Sequence, residues 1–340
     1  MVRALVILIG GLSAGLLFDL LNVPAGWLLG SLLFGIFYGL FGTGLSYDGW
    51  PFKLALTLVG TNIGLLMDRE LFNVLGLYFF PLLISLLLTF AGSLFLGWLL
   101  YRWAPELDKK TAFFCCIPGG ASEIISVSGE YGADRRIVAA FHTARITFFV
   151  LLIPLAAGFG REAEALPHAA GNILPTIEQL FVFVIVITAA LLLNSRLKIP
   201  AGALLYSILF GFILGEFVFY VEEVPSYIGG IGQGLIGVMV GVRFDKSTFL
   251  RLRAVGFISA RIIFLFLVMG FLLALVFALL SGAPYAVSLL SIVPAGAAEM
   301  AATAFGLGLE PTLVASIQIL RVICIFLALP FLLKFIQKIG

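Results

Sequence analysis

Twice in this chain an acid is followed, 22 positions later, by an arginine inside strongly apolar sequence: Glu123 before Arg145, and Glu299 before Arg321. Each acid closes a Pro-Gly-type motif, Ile117-Pro-Gly-Gly-Ala-Ser-Glu123 in the first copy and Val293-Pro-Ala-Gly-Ala-Ala-Glu299 in the second. In a bilayer such groups are costly, which makes them functional candidates by default. Non-helical backbone at membrane depth survives only inside protein or beside water. Pro118, Gly119 and Gly120, and Pro294 with Gly296, therefore predict two breaks facing a cavity. A half-helix is expected to start near Ala121, with free N–H groups and a dipole that attract negative charge.

The chemistry to expect from these residues is binding and ion coupling. Arg145 and Arg321 lie about ten residues into their apolar helices, too deep to snorkel to the surface. With the half-helix N–H groups from Gly120 to Ser122 and from Gly296 to Ala298, they would hold an anionic group. Glu123 and Glu299 would carry a proton or a sodium ion; alternatively, Glu123 caps its half-helix or pairs with Arg145. His142 precedes Arg145 by three residues, on the same helical face, and is a candidate proton shuttle. Gln318 takes that place in the second copy, so the two sites are not chemically equivalent. Thr61, Asn62, Ser122, Ser126 and Ser128 are also polar in apolar surroundings, and the Ser and Thr hydroxyls can bond to their own helix backbone. Gly-x-Ser-x-Gly, P-loop, Cys-x-x-Cys and His-Glu-x-x-His patterns do not occur. His142 and His168 are the only histidines, too few for a histidine-rich metal centre. No enzyme activity, metal or cofactor is expected.

The elements that must position these groups are membrane helices. Of the 340 residues 62% are hydrophobic and 11% charged, and mean hydropathy is +1.18, far from a soluble domain. The formal net charge of +2 does not point to nucleic acid. Apolar segments cover roughly 3–20, 25–43, 52–67, 71–103, 111–129 and 135–158, then 176–193, 200–220, 226–242, 254–280, 285–305 and 312–335. The first is expected to be a retained helix rather than a signal peptide, because the second half opens with an equivalent segment. Cys115, Cys116 and Cys324 fall in apolar segments and are expected to be free thiols.

The duplication is general. Pro24-Ala-Gly-Trp-Leu-Leu-Gly-Ser-Leu-Leu-Phe-Gly35 matches Pro200-Ala-Gly-Ala-Leu-Leu-Tyr-Ser-Ile-Leu-Phe-Gly211 at the offset of 176 that also relates the Pro-Gly motifs. Gly60 and Gly64 match Gly237 and Gly241 at an offset one larger. Small residues four apart let helices approach closely, so packing is the expected role of these glycines. Residues 1–160 form a first membrane repeat, 161–175 a linker and 176–340 a second repeat.

Loop charge decides the orientation. If each Pro-Gly segment dips in and returns, one face collects fifteen Lys and Arg residues, from Arg3 and Lys53 to Lys334 and Lys338, while the other holds Arg69 and Arg161. The expected fold is thus all-α and polytopic. It has about ten transmembrane helices, two re-entrant or broken Pro-Gly helices, two inverted repeats and both termini in the cytoplasm. Secondary transporters are commonly built this way.

The paired Pro-x-Gly-Ala-x-Glu and Pro-Ala-Gly-x-Leu-Leu segments resemble the AbrB family of bacterial membrane proteins, along essentially the whole chain. That family shares only a name with the small soluble DNA-binding AbrB regulator. Its members have been labelled ammonia monooxygenase and regulator of gene expression; the missing metal ligands conflict with the first label, the missing DNA-binding element with the second. The family is grouped with folds like those of cation–proton antiporters and bile-acid transporters, which implies inverted repeats with broken helices in a bacterial cytoplasmic (inner) membrane. Pro118 to Glu123 and Pro294 to Glu299 carry over as core-site motifs.

Two functions follow as expectations. One is a secondary transporter of a small anionic solute, coupled to H+ or Na+. The other is a membrane sensor or regulatory protein that retains a transporter-like fold, with a soluble partner on the loops around Arg243–Arg253. The expected partners are the lipid bilayer and a small-molecule or ion substrate, without nucleic acid; a homodimer is left open.

Overall fold

The computed structural model describes residues 2–42, 47, 49–67, 69–119, 121–158, 177–197, 199, 201–219 and 226–339. Among them fifteen helices follow the two-repeat pattern. The first repeat holds α1 (Val2–Leu20), α2 (Gly26–Phe41), α3 (Trp50–Leu65), α4 (Glu70–Trp103), α5 (Lys109–Cys116), α6 (Ala121–Glu130) and α7 (Arg135–Gly158). The second holds α8 (Ile177–Arg196), α9 (Gly202–Phe217), α10 (Ser226–Arg243), α11 (Lys246–Ala254), α12 (Phe257–Ser281), α13 (Tyr285–Ile292), α14 (Ala297–Gly306) and α15 (Pro311–Ile339). The linker with His168, the boundary between the repeats, Gly120, Asp68 and Pro200 lie outside the described residues.

The repeats match in backbone detail. The Pro-Ala-Gly motifs start α2 and α9 through an alanine in the left-handed region, Ala25 at φ 51° and Ala201 at φ 53°. That conformation costs an L-residue about 1–2 kcal/mol, so its recurrence marks an inherited turn. The turns leading into α7 and α15 likewise share a left-handed glycine, Gly132 at φ 81° and Gly308 at φ 62°, where any Cβ would add strain.

Glycines set the tightest contacts, as their spacing predicts, and they do so across the repeats. α2 packs along α10, and α9 along α3. A Cβ on Gly35 would lie 3.0 Å from the Cα of Gly241; one on Gly211 would lie 3.2 Å from the Cα of Gly64. Gly60 faces Ser207 and Gly237 faces Ser31, again as repeat counterparts. With α1 and α8, these four helices make one layer. The second layer comprises α4 to α7 and α11 to α15. Each repeat thus contributes to both layers.

Helix lengths are less uniform than the apolar segments suggest. α1, α4, α7, α8 and α12 are each long and apolar enough to cross a bilayer, and α10 with α11, bent by 50°, would make a sixth span. α2 and α9, at 16 residues each, rise only about 24 Å. The 34 residues of α4 rise about 51 Å, well beyond a hydrocarbon core of about 30 Å. Its counterpart in the second repeat is broken into α11 and α12 at Gly256, φ 77°. The expected loop around Arg243–Arg253 is therefore a helix, α11, N-capped by Asp245, whose side chain accepts from the Thr248 amide at 2.8 Å.

Both Pro-Gly segments are broken helices that return. Asp108 caps α5 by accepting from the Thr111 amide at 2.9 Å. The Thr111 hydroxyl in turn accepts from the amide of Asp134, just before α7, at 2.8 Å. α5 and α7 thus begin at the same level. Further along, His142 meets Phe114 and Arg145 meets Ile117, so the two helices run the same way. α6 must therefore travel back to the end where α5 entered. In the second repeat Gln318 meets Leu290 and Arg321 meets Val293 and Ala295, the same parallel course of α13 and α15.

Candidate functional site

The chemistry of the site begins with what proline lacks. In a continuous helix the N–H at position 118 would bond the carbonyl of Phe114, and that at 294 the carbonyl of Leu290. Pro118 and Pro294 carry no N–H, so both carbonyls are orphaned in a buried place. The second layer supplies replacements. His142 Nε2 lies 3.0 Å from the Phe114 carbonyl, and Gln318 Nε2 donates to the Leu290 carbonyl at 2.6 Å. His142 and Gln318, chemically unlike, do one job at one repeat position.

The arginines serve the next carbonyls along. Arg145 Nη1 donates to the Ile117 carbonyl at 3.4 Å. Arg321 Nη1 donates to the carbonyls of Ile292, at 2.7 Å, and Val293, and its Nη2 donates to that of Ala295 at 3.3 Å. Each guanidinium thereby sits at the C-terminal, negative end of a half-helix, where a cation is stabilised. Arg145 also lies over the Phe266 ring, 5.2 Å from its centroid, a cation–π contact from α12. Part of the hydrogen-bonding capacity expected for a ligand is spent on the fold. A remainder stays: both residues are buried, at 2% and 3% exposure, and the Nε of each has no hydrogen-bond partner. No ion pair joins either arginine to a carboxylate among the described residues.

His142 is held on both sides. Arg145 Nη2 lies 3.2 Å from His142 Nδ1; a guanidinium nitrogen only donates, so Nδ1 accepts and Nε2 carries the proton given to Phe114. This is the neutral tautomer with both nitrogens engaged. A shuttle would first have to break one of these bonds.

Glu299 occupies the third position of α14 and is 6% exposed. Its carboxylate folds back over Gly296, the N-cap residue, where any Cβ would land on it. An acid reaching back to the start of its own helix satisfies free N–H groups and meets the positive end of the dipole. Glycine at 296 leaves the room for it. Pro118, Pro294 and Ala298 are buried, and Gly119 and Gly296 partly so. In the first copy, Gly120 and the side chains of Ser122 and Glu123 lie outside the described residues, so the expected site is built here from its second half.

Of the other polar residues, Thr61 and Ser128 bond back to their own helices, to the carbonyls of Thr57 at 2.7 Å and Ile125 at 2.8 Å. Asn62 does not: it is buried with neither end of its amide partnered. Gln233 on α10, also buried, was not among the candidates read from the sequence. Its repeat counterpart is Leu56, so the repeat pattern that exposed the other site residues passes over it. Cys115 and Cys116 are buried free thiols and Cys324 a half-buried one.

Comparison with known proteins agrees with this architecture. The family model described as transition state regulatory protein AbrB matches residues 27–337 and, in a second alignment, residues 2–73. Overlapping alignments of one model are what a duplicated chain yields. A protein of Escherichia coli (strain K12), provisionally named regulator AbrB, is 26% identical over 320 residues, covering 93% of this chain and 91% of its own. Protein YhjN of Bacillus subtilis (strain 168) is 26% identical over 350 residues, covering 94% of this chain and 89% of its own. With a match that runs through both hairpins and both buried arginines, the chain belongs to the AbrB family of membrane proteins.

Proposed function

We propose that this protein is a secondary transporter for a small anionic solute. The observation that carries the proposal is the pair of buried guanidinium groups, each with an unpartnered Nε and no described carboxylate beside it. Half-helix C-termini offset only part of two full charges, and the balance favours an anion between the hairpins. Glu299, folded at the start of α14, is the group proposed to couple a proton or sodium ion, with Glu123 in the same role in the first repeat. No catalytic role is assigned, and no enzyme activity is proposed.

A second feature supports alternating access. α14 packs on α2, α3 and α10 of the other layer, whereas α6, its repeat counterpart, packs chiefly on α5 and α7. Halves with the same plan but different docking are suited to exchange the two arrangements, opening one side and then the other. The proposed setting is a bacterial inner membrane with both termini in the cytoplasm, a reading supported by the fifteen-to-two charge division.

The test is counterflow of small anions into proteoliposomes, with and without a pH or sodium gradient. Uptake of an anion that Arg321→Gln abolishes supports the proposal. Absence of flux for every anion, together with a soluble protein captured on α11, would favour the second reading, a membrane regulatory protein. The word regulator in a relative's name gives that reading its support.

A further inference from the structure

Asn62 is 2% exposed, and neither its Nδ2 nor its Oδ1 meets a hydrogen-bond partner. Buried amides are normally paired, because an unmet donor or acceptor carries its full desolvation cost. The backbone around Asn62 is shaped to keep it there. A Cβ on Gly229 of α10 would lie 2.8 Å from Asn62 Nδ2 and would also strike the Phe305 ring of α14. One turn along α10, on the same face, is a second buried carboxamide, Gln233. A Cβ on Gly306 would lie 2.8 Å from its Oε1 and 3.3 Å from the Cα of Ala25, the left-handed turn residue. Two amides from different repeats thus converge on the last turn of α14.

The repeat shows that the architecture does not need them. At the offset of 177 that relates α3 to α10, Asn62 corresponds to Met239 and Gln233 to Leu56, both buried apolar side chains. Replacing Asn62 by such a residue would remove an unmet polar group at no cost in pattern. An occupant would meet the unpartnered amide.

We infer that Asn62, supported by Gln233, forms a subsite at the α3–α10–α14 junction for a neutral group carrying a donor beside an acceptor, such as a carboxamide. The free amide edge offers one of each and can form two bonds side by side with a group of the same kind. Gly229 and Phe305, the groups that this packing sets beside the Asn62 amide, are uncharged and offer an ion no compensation. Phe305 supplies an apolar wall. The inference rests on this packing and not on the transport reading, so either can fail alone.

The test uses the full-length protein purified in detergent, with acetamide as probe and acetate as its charged isostere. Acetamide should raise the thermal unfolding midpoint of the wild type in a saturable way, and acetate at equal concentration should not. In Asn62→Met, which the repeat shows to be an acceptable side chain in the corresponding position, the saturable shift should disappear. Gly229→Ala, which crowds the amide while leaving it in place, should weaken it several-fold. Equal acetamide shifts in wild type and Asn62→Met would be a general solvent effect and would overturn the inference. So would a wild type that does not respond, or one that responds equally to acetate.

Discussion

Pro118 and Pro294 define the chemistry at the scale of single residues, because each removes one N–H and the fold must answer it. The sequence made the prolines, the acids, the arginines and His142 conspicuous, since such groups are rare in apolar runs. It did not disclose that His142 and Gln318 are interchangeable solutions to one problem, because that depends on which carbonyl each side chain reaches. His142→Gln should therefore leave thermal stability in detergent nearly unchanged. His142→Leu, which orphans the Phe114 carbonyl and removes the acceptor for Arg145, should cost about 1–3 kcal/mol. If His142 instead relays protons, His142→Gln would change the pH profile of transport while sparing the fold, an outcome that the fully engaged imidazole argues against. Glu299 gives a paired test. Gly296→Ala keeps the charge but displaces the carboxylate, and Glu299→Gln keeps the position but removes the charge. Both should lower gradient-driven uptake if the acid couples an ion from its seat at the start of α14. Loss in Glu299→Gln alone would mean that charge matters and position does not.

Glycine registers decide how the helices assemble. Spacing alone pointed to packing, and the structure shows why Gly64 and Gly241 admit no side chain: their contacts are backbone on both sides, whereas Gly60 and Gly237 first meet a serine side chain. A Cβ on Gly64 would lie 3.0 Å from the Cα of Ile208, and one on Gly241 would lie 2.8 Å from the amide nitrogen of Ile36. Backbone cannot swing aside as a side chain can, so the helices would have to part. Gly64→Ala and Gly241→Ala should each destabilise the purified protein by about 1–3 kcal/mol, and by similar amounts, since they are repeat counterparts. Gly76→Ala in α4 should not, because its Cβ would meet nothing within 4 Å and alanine is the better helix former. Thermal unfolding of the three variants side by side reads the difference. What the sequence concealed at this scale was the break that makes α11. Apolar runs separated by basic residues look like helix–loop–helix, and only the backbone at Gly256, together with the Asp245 cap, shows that the intervening stretch is itself helical.

The whole molecule is two layers woven from two repeats, and its most informative feature is an inequality between hairpins that the sequence makes look alike. Duplication and the return of the Pro-Gly segments were legible from periodicity and loop charge. The helix count was not, since about ten crossings were expected and only five described helices, or six with the bent α10–α11 pair, are long and apolar enough to span. That α14 docks on the opposite layer while α6, among the described residues, packs chiefly on α5 and α7 was not legible, since it depends on shape and not on residue type. Cysteine labels at Lys109 or Lys110 and at Arg135 or Arg136 should react from the same side of the membrane, as the Thr111–Asp134 bond requires; labelling from opposite sides would undo the hairpin and, with it, the proposed inversion of the repeats. If access alternates by release of α14, tethering it to the other layer should stop the cycle. Gly306 and Ala25 offer the place. A Cβ on Gly306 would lie 3.4 Å from that of Ala25, close to the spacing of about 3.5–4.5 Å found in disulfides. The double variant Ala25→Cys with Gly306→Cys should cross-link on mild oxidation, while Cys115 and Cys116, buried as free thiols, give no such bond in the wild type. Solute flux should fall to the level of empty vesicles when the pair is oxidised and recover on reduction, with each single variant insensitive to the oxidant. Undiminished flux through a fully cross-linked protein would mean that α14 stays on its layer throughout, and that whatever moves in the cycle lies elsewhere.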